Sequence, residues 1–276
     1  MPNRSVFFVS DGTGIAAETF GNSVLAQFDV QPHRIRLPFV DTVEKAVHAV
    51  ERINEVERAE GKPPIVFVTL VHPDVLDIIQ GARALVLDMF NSFVQPLEVA
   101  FGAKSNHRIG RFSDAAYSPQ YHNRIDAINF SLMHDDGQST RNLTEAEVIL
   151  VGVSRCGKTP TSIYLAMQFG MRVANYPIIP EDLERNALPG TLVDYKDKMF
   201  GLTIDPMRLS KVRGERRPNS RYADLENCKN EVKRAEELMR REEISMLDST
   251  SRSVEELSSL IMQQISFKAA KNMLLD

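Results

Sequence analysis

The sequence predicts an α/β chain built as two parallel-sheet layers in succession, and three observations predict it. Short runs of β-branched and aromatic residues alternate with amphipathic helical stretches from one end to the other. Val148 to Val151 is an unbroken apolar run, the composition of a strand covered on both faces. Between the layers, Asp135 to Asn142 is polar and turn-rich, which makes it the best domain boundary. The expected division is an N-terminal parallel α/β domain over residues 1–143 and a second α/β domain over 144–276.

Composition narrows the class. At 43% hydrophobic residues over 276 positions, the chain fills a core without disulfides or metals. Its two cysteines, Cys156 and Cys228, form no zinc-type spacing and point to a reducing, cytoplasmic setting. Val6 to Val9 is too short for a signal-peptide core, and no apolar run has the length of a membrane span. A net charge of −4 gives no general attraction to nucleic acid. Neither nucleic acid nor membrane is therefore expected as a partner; a homodimer stays open.

The first layer begins with the strand Ser5 to Val9, which runs into Ser10-Asp11-Gly12-Thr13-Gly14 and a helix through Ala16, Phe20, Val24 and Phe28. A tight capped turn and an anion site explain this glycine turn equally well. A strand over Arg34 to Val40 follows, then a helix from Thr42 to Ala59 with Val43, Ala46, Val47, Val50 and Ile53 on one face. Ile65 to Val71 reads as a strand, and Pro73 opens a helix in the position where proline is tolerated. Ala84 to Phe101 has helical spacing throughout, with a kink or break expected at Pro96. A polar stretch then leads to a helix over Gln120 to His134. His107, Arg108, Arg111 and Arg124 are candidates to touch phosphate, although such residues more often form a solvated face.

The second layer carries the chemistry. Gly152-Val153-Ser154-Arg155-Cys156-Gly157-Lys158-Thr159 fits G-x-x-x-x-G-K-[ST], the phosphate-loop pattern, at every specified position. The apolar strand precedes it, and Ile163, Leu165, Ala166 and Phe169 follow at helical spacing, as the pattern demands. Glycines let backbone N–H groups close around anionic oxygens, and the helix N-terminus adds a favourable dipole. Lys158 is placed to reach a terminal phosphate, and the Thr159 hydroxyl to ligate Mg²⁺. The second domain is thus expected to be P-loop kinase-like, with residues 152–159 as the nucleotide cradle.

Strands over Arg172 to Pro180 and Phe200 to Pro206 come next. Asp205, at the tip of the latter, fits a Mg²⁺ partner or a base for an incoming hydroxyl, and equally a helix cap before Pro206. Arg208, Lys211, Arg213, Arg216, Arg217 and Arg221 suggest a flexible lid over phosphates, against the alternative of a solvated helix surface. A charged helix over Asp224 to Glu243, a strand over Ile244 to Thr250 and a closing helix over Ser253 to Ile265 complete the layer. Ser253 and Glu256 have the spacing of a capping box, and Phe267 to Asp276 is expected to fray.

Taken together, these residues resemble a known family. Gly152 to Ser162, Tyr164 to Gly170 and Ala174 to Pro177 are similar to the phosphoenolpyruvate synthase regulatory proteins, bacterial bifunctional kinases and pyrophosphorylases. Phe8 to Gly14, Leu37 to Val40, His134 to Gly137, Gly201 to Pro206 and Asn219 to Tyr222 extend the likeness over nearly the whole chain. The resemblance implies ADP as phosphoryl donor to a threonine of phosphoenolpyruvate synthase, which inactivates it. It also implies reversal by inorganic phosphate with release of pyrophosphate. A sibling family acts on pyruvate, phosphate dikinase; Cys156-Gly157-Lys158-Thr159 favours the synthase branch. Lys158, Thr159 and Asp205 are the expected catalytic residues, and the N-terminal domain the expected docking element for a protein substrate. A small-molecule P-loop kinase shares the loop and lid, and a nucleotide switch would bind a partner without transfer. An extra α/β domain of about half the chain fits docking of a protein substrate better than either of these.

Overall fold

The computed structural model describes residues 4–105, 119–137 and 142–273. The chain divides into two compact units, residues 1–114 and 115–276, each with one four-stranded parallel sheet. The polar stretch before residue 119, rather than Asp135 to Asn142, is therefore where the units part. The reason lies in the helix over Pro119–Met133, which packs in the second unit. Its Ala127 and Phe130 are buried, and Phe130 belongs to that unit's core.

In the first unit the strands β1 (Ser5–Ser10), β2 (His33–Leu37), β3 (Ile65–Thr69) and β4 (Leu85–Asp88) lie in the order β2-β1-β3-β4. The helices are α1 (Ile15–Leu25), α2 (Val43–Glu60), α3 (Pro73–Gln80) and α4 (Met89–Phe101). β1 is buried at every position, as an apolar central strand must be. Thr42 caps α2 by accepting from Lys45 N at 3.3 Å, Gly61 ends it in the left-handed conformation, and Pro73 opens α3. Ala84 to Phe101 is not one helix. Leu85–Asp88 pairs in parallel with β3, and the Asp88 carboxylate starts α4 by accepting from Asn91 N at 3.1 Å. Sequence spacing ran the two together because the edge strand is only four residues long. Pro96 sits inside α4 without breaking it.

In the second unit, α5 (Pro119–Met133) precedes β5 (Val148–Gly152), α6 (Lys158–Phe169) and β6 (Val173–Pro177). Then come α7 (Pro180–Arg185), β7 (Met199–Thr203), α8 (Pro206–Arg216), α9 (Leu225–Arg241), β8 (Ser245–Asp248) and α10 (Val254–Met273). The order β6-β5-β7-β8 repeats that of the first unit. β5 is buried throughout, and Val148 to Val151 each contribute on the order of 1.5–3 kcal/mol by leaving water. The capping box at α10 is present: Glu256 N donates to Ser253 Oγ at 3.2 Å and Ser253 N to Glu256 Oε2 at 2.9 Å. That helix continues past Ile265 to Met273.

Strand order decides where a ligand can sit. The chain leaves β5 towards β6 on one side and reaches β7 on the other, so a crevice opens at the carboxyl end of β5. Register places Gly152 opposite Pro177, with Val151 opposite Gly201 on the other flank.

Candidate functional site

The Gly152–Thr159 loop leaves β5 at this crevice and enters α6 at Lys158. Gly152 is required there: a Cβ would lie 2.3 Å from the Leu202 carbonyl oxygen and 2.9 Å from Cys156 Sγ. Gly157, just before the helix, has φ 98°, a conformation that L side chains rarely adopt. The loop is tied down beside the ends of β7 and β8, because Ser249, the residue after β8, places its one hydroxyl proton between Cys156 O at 2.8 Å and Thr203 O at 2.9 Å. Lys158 is buried and its Nζ donates to Val153 O at 3.0 Å, folding the side chain back over the loop. Val153 and Cys156 face the core, and burial pushes the Cys156 thiol above its ordinary value. Ser154 Oγ is within 2.9 Å of Tyr222 Oη, while Arg155 is exposed with φ 75°. Such a loop can present backbone N–H groups and one ammonium to phosphate oxygens.

Thr159 Oγ1 donates to Asp135 Oδ1 at 2.8 Å. The same oxygen accepts from Asn175 Nδ2, and the Asn175 Oδ1 accepts from Asp136 N at 2.9 Å. Asn175 is 2% exposed, so this turn is anchored from inside β6. Next to it Tyr176 donates to Asp182, and burial followed by the Asp182 charge pushes its phenol up to about 12. The sequence reading assigned no role to Asp135 or Asn175. The signal was the acidic pair Asp135-Asp136 in a turn, and nothing in its spacing links it to Thr159 24 residues later.

Asp205 stands at the carboxyl end of β7 and caps α8, its Oδ1 accepting from Met207 N at 3.0 Å and Arg208 N at 2.9 Å. Its Oδ2 has no hydrogen-bond partner among the described residues. The basic segment after it is the helix α8 rather than a flexible strap. Arg213 is wholly buried there, which removes it from any lid. Its Nη2 pairs with Glu231 Oε2 at 2.8 Å, and the guanidinium stacks on the Tyr222 ring, 4.2 Å from the centroid. Arg208 is exposed and, with Arg155 and Arg252, lines a cleft of about 460 Å³ beside Cys156 and Gly157. Arg221 faces a separate hollow with Asn219 and Ser220. His107, Arg108 and Arg111 lie outside the described residues; Arg124 is exposed on α5. Among the described residues no three His, Cys, Asp or Glu side chains converge, and no helix is long and apolar enough to cross a membrane.

The family model described as Kinase/pyrophosphorylase matches residues 6–262, taking in both sheets and the loop. The chain belongs to the kinase/pyrophosphorylase family. Relatives named "Putative phosphoenolpyruvate synthase regulatory protein" include one from Acidovorax sp. (strain JS42), 60% identical over 95% of each chain. Those from Methylibium petroleiphilum and Leptothrix cholodnii are each 61% identical over 96% of this chain and 97% of their own. As a kinase/pyrophosphorylase the chain handles phosphoryl groups, and the Gly152–Thr159 loop between β5 and α6 lies within the matched span.

Proposed function

We propose that this kinase/pyrophosphorylase is a P-loop phosphotransferase that uses ADP to phosphorylate a threonine of phosphoenolpyruvate synthase and inactivates it. With inorganic phosphate it removes the group again and releases pyrophosphate. The observation that carries the reading is the complete Gly152–Thr159 loop at the carboxyl end of the central strand of β6-β5-β7-β8. The relatives' name supplies the target.

In the forward step the threonine oxygen bonds to the β-phosphorus of ADP. The bond to the α–β bridging oxygen breaks, and AMP leaves. Gly152, Val153, Ser154, Arg155, Cys156 and Gly157 hold the phosphates by main-chain N–H groups, and Lys158 turns from Val153 O to neutralise them. Asp205, with one oxygen capping α8 and the other unpartnered among the described residues, takes the threonine proton. In reverse, phosphate attacks phosphothreonine in the same cradle, and Asp205 returns the proton to the leaving oxygen. Mg²⁺ fits, because the Thr159 hydroxyl is a hard oxygen donor already beside a carboxylate, and when bound it would neutralise phosphate charge.

The N-terminal unit, with a core of its own, is the proposed docking element for the synthase. Two buried free cysteines suit a cytoplasmic enzyme. The test incubates phosphoenolpyruvate synthase with the protein and ADP and follows synthase activity. Loss of activity with ADP, and recovery with phosphate in step with pyrophosphate, is the expected result. Inactivation of pyruvate, phosphate dikinase instead would assign the sibling substrate, and no effect on either enzyme would overturn the reading.

A further inference from the structure

We propose that Asp135 is a metal-binding residue of this site: its carboxylate, with the Thr159 hydroxyl, supplies the protein's oxygen ligands to the divalent cation of the bound nucleotide. The inference rests on the Mg²⁺ reading given above.

The geometry is specific. Thr159 Oγ1 and Asp135 Oδ1 are 2.8 Å apart. Neighbouring oxygens on one Mg²⁺, with bonds of 2.0–2.1 Å at right angles, are about 2.9 Å apart, so the pair is spaced as two adjacent ligands are. Oδ1 is held on one side by Thr159 and on the other by Asn175 Nδ2, while Oδ2 has no hydrogen-bond partner among the described residues. The carboxylate is half-buried, so its charge is neither lost to solvent nor sealed from a ligand. Its position is over-determined. Asn175 is buried in β6 and bonds both Asp135 and the Asp136 N–H, and its own N–H donates to His134 O at 3.0 Å. Asp136 turns with φ 48° and Gly137 with φ 69°, where a Cβ on Gly137 would lie 3.2 Å from the Tyr176 ring. Three segments far apart in sequence are thus built to hold one carboxylate against the first turn of α6.

A strut that merely braces Thr159 would use the same hydrogen bonds, and charge separates the two roles. Asp135→Asn keeps an oxygen acceptor for Thr159 and Asn175 but removes the negative charge. Binding of a fluorescent ADP analogue is measured with and without Mg²⁺, and Mn²⁺ coordination by electron paramagnetic resonance of the Mn²⁺–ADP complex. The expected result is metal-free affinity within about twofold of wild type, with the metal's enhancement of binding reduced by about tenfold or more. Full enhancement in the variant, with an unchanged Mn²⁺ spectrum, would overturn the proposal. Absence of any metal enhancement in the wild-type protein would instead remove the Mg²⁺ reading itself. Asp135→Glu keeps the charge and serves if the asparagine variant does not fold. Its longer reach should change the ratio of Mg²⁺ to Mn²⁺ affinity, which a brace would leave alone; an unchanged ratio counts against the proposal.

Discussion

Arg213 Nε and Nη2 both donate to the main-chain carbonyl of Ser154, at 3.3 and 3.1 Å, so a buried guanidinium on α8 grips the middle of the glycine loop. Arg213 Nη1 also donates to Tyr222 O at 3.0 Å, and the Tyr222 hydroxyl meets Ser154 Oγ. One arginine thereby fixes the loop and the segment after α8 together. Arg213→Met leaves Glu231 without its cation and the Ser154 carbonyl without its donors. It should cost about 3–5 kcal/mol in urea unfolding, towards the lower end because Glu231 keeps some solvent. Arg208→Ala, on the cleft wall, should leave the urea midpoint within about 0.5 kcal/mol of wild type and lower phosphoryl transfer.

Asp205 joins a cap to a proposed base, and one substitution separates them. Asparagine caps helices as well as aspartate does, so Asp205→Asn should unfold at nearly the wild-type temperature. Turnover should drop by about 10²–10⁴ while ADP affinity stays near wild type. Equal losses in turnover and affinity would withdraw the base assignment.

Gly152 has no room for a methyl group. Gly152→Ala drives a Cβ to 2.3 Å from a backbone oxygen, which cannot rotate away as a side chain does. Either the loop or β7 must shift, at a cost of about 1–3 kcal/mol. The expected readout is weaker ADP binding together with a lower melting temperature.

Asp11 gives a pH signature in the first unit. Burial holds its carboxyl above the ordinary 3.8, although Val71 N donates to Oδ2 at 2.8 Å. A folded state that holds a proton more tightly than the unfolded chain is stabilised below the ordinary value. That stability is lost as pH rises through the raised one. Asp11→Asn keeps an acceptor for Val71, so its melting temperature should gain on wild type across that window and hold the gain at neutral pH. Thermal melts from pH 3 to 7 check this, and an advantage largest at pH 3 would contradict it.

The parts of this architecture written in local sequence were legible: the strand Val148–Gly152, the glycine loop, the opening of α3 at Pro73 and the Ser253–Glu256 capping box. Elements that depend on distant partners were not. Leu85–Asp88 is a strand because β3 lies beside it, and residues 119–133 join the second unit because α6 lies beneath them. The basic run read as a lid because composition says nothing about which arginine is buried; Glu231, Tyr222 and Ser154 decide that for Arg213. Of the candidate site, the placing of Lys158 and Thr159 at the start of α6 could be read from spacing, whereas Asp135 reaches Thr159 only through the fold of β6 and its preceding turn.

The central claim is transfer of the β-phosphoryl of ADP to a protein threonine and its removal by phosphate. The most direct measurement gives the protein phosphoenolpyruvate synthase and ADP labelled at the β-phosphorus, with adenylate kinase inhibited. Label should appear on a synthase threonine and leave as pyrophosphate when phosphate is added. Label that stays on nucleotide, with synthase and phosphate both present, would contradict the account.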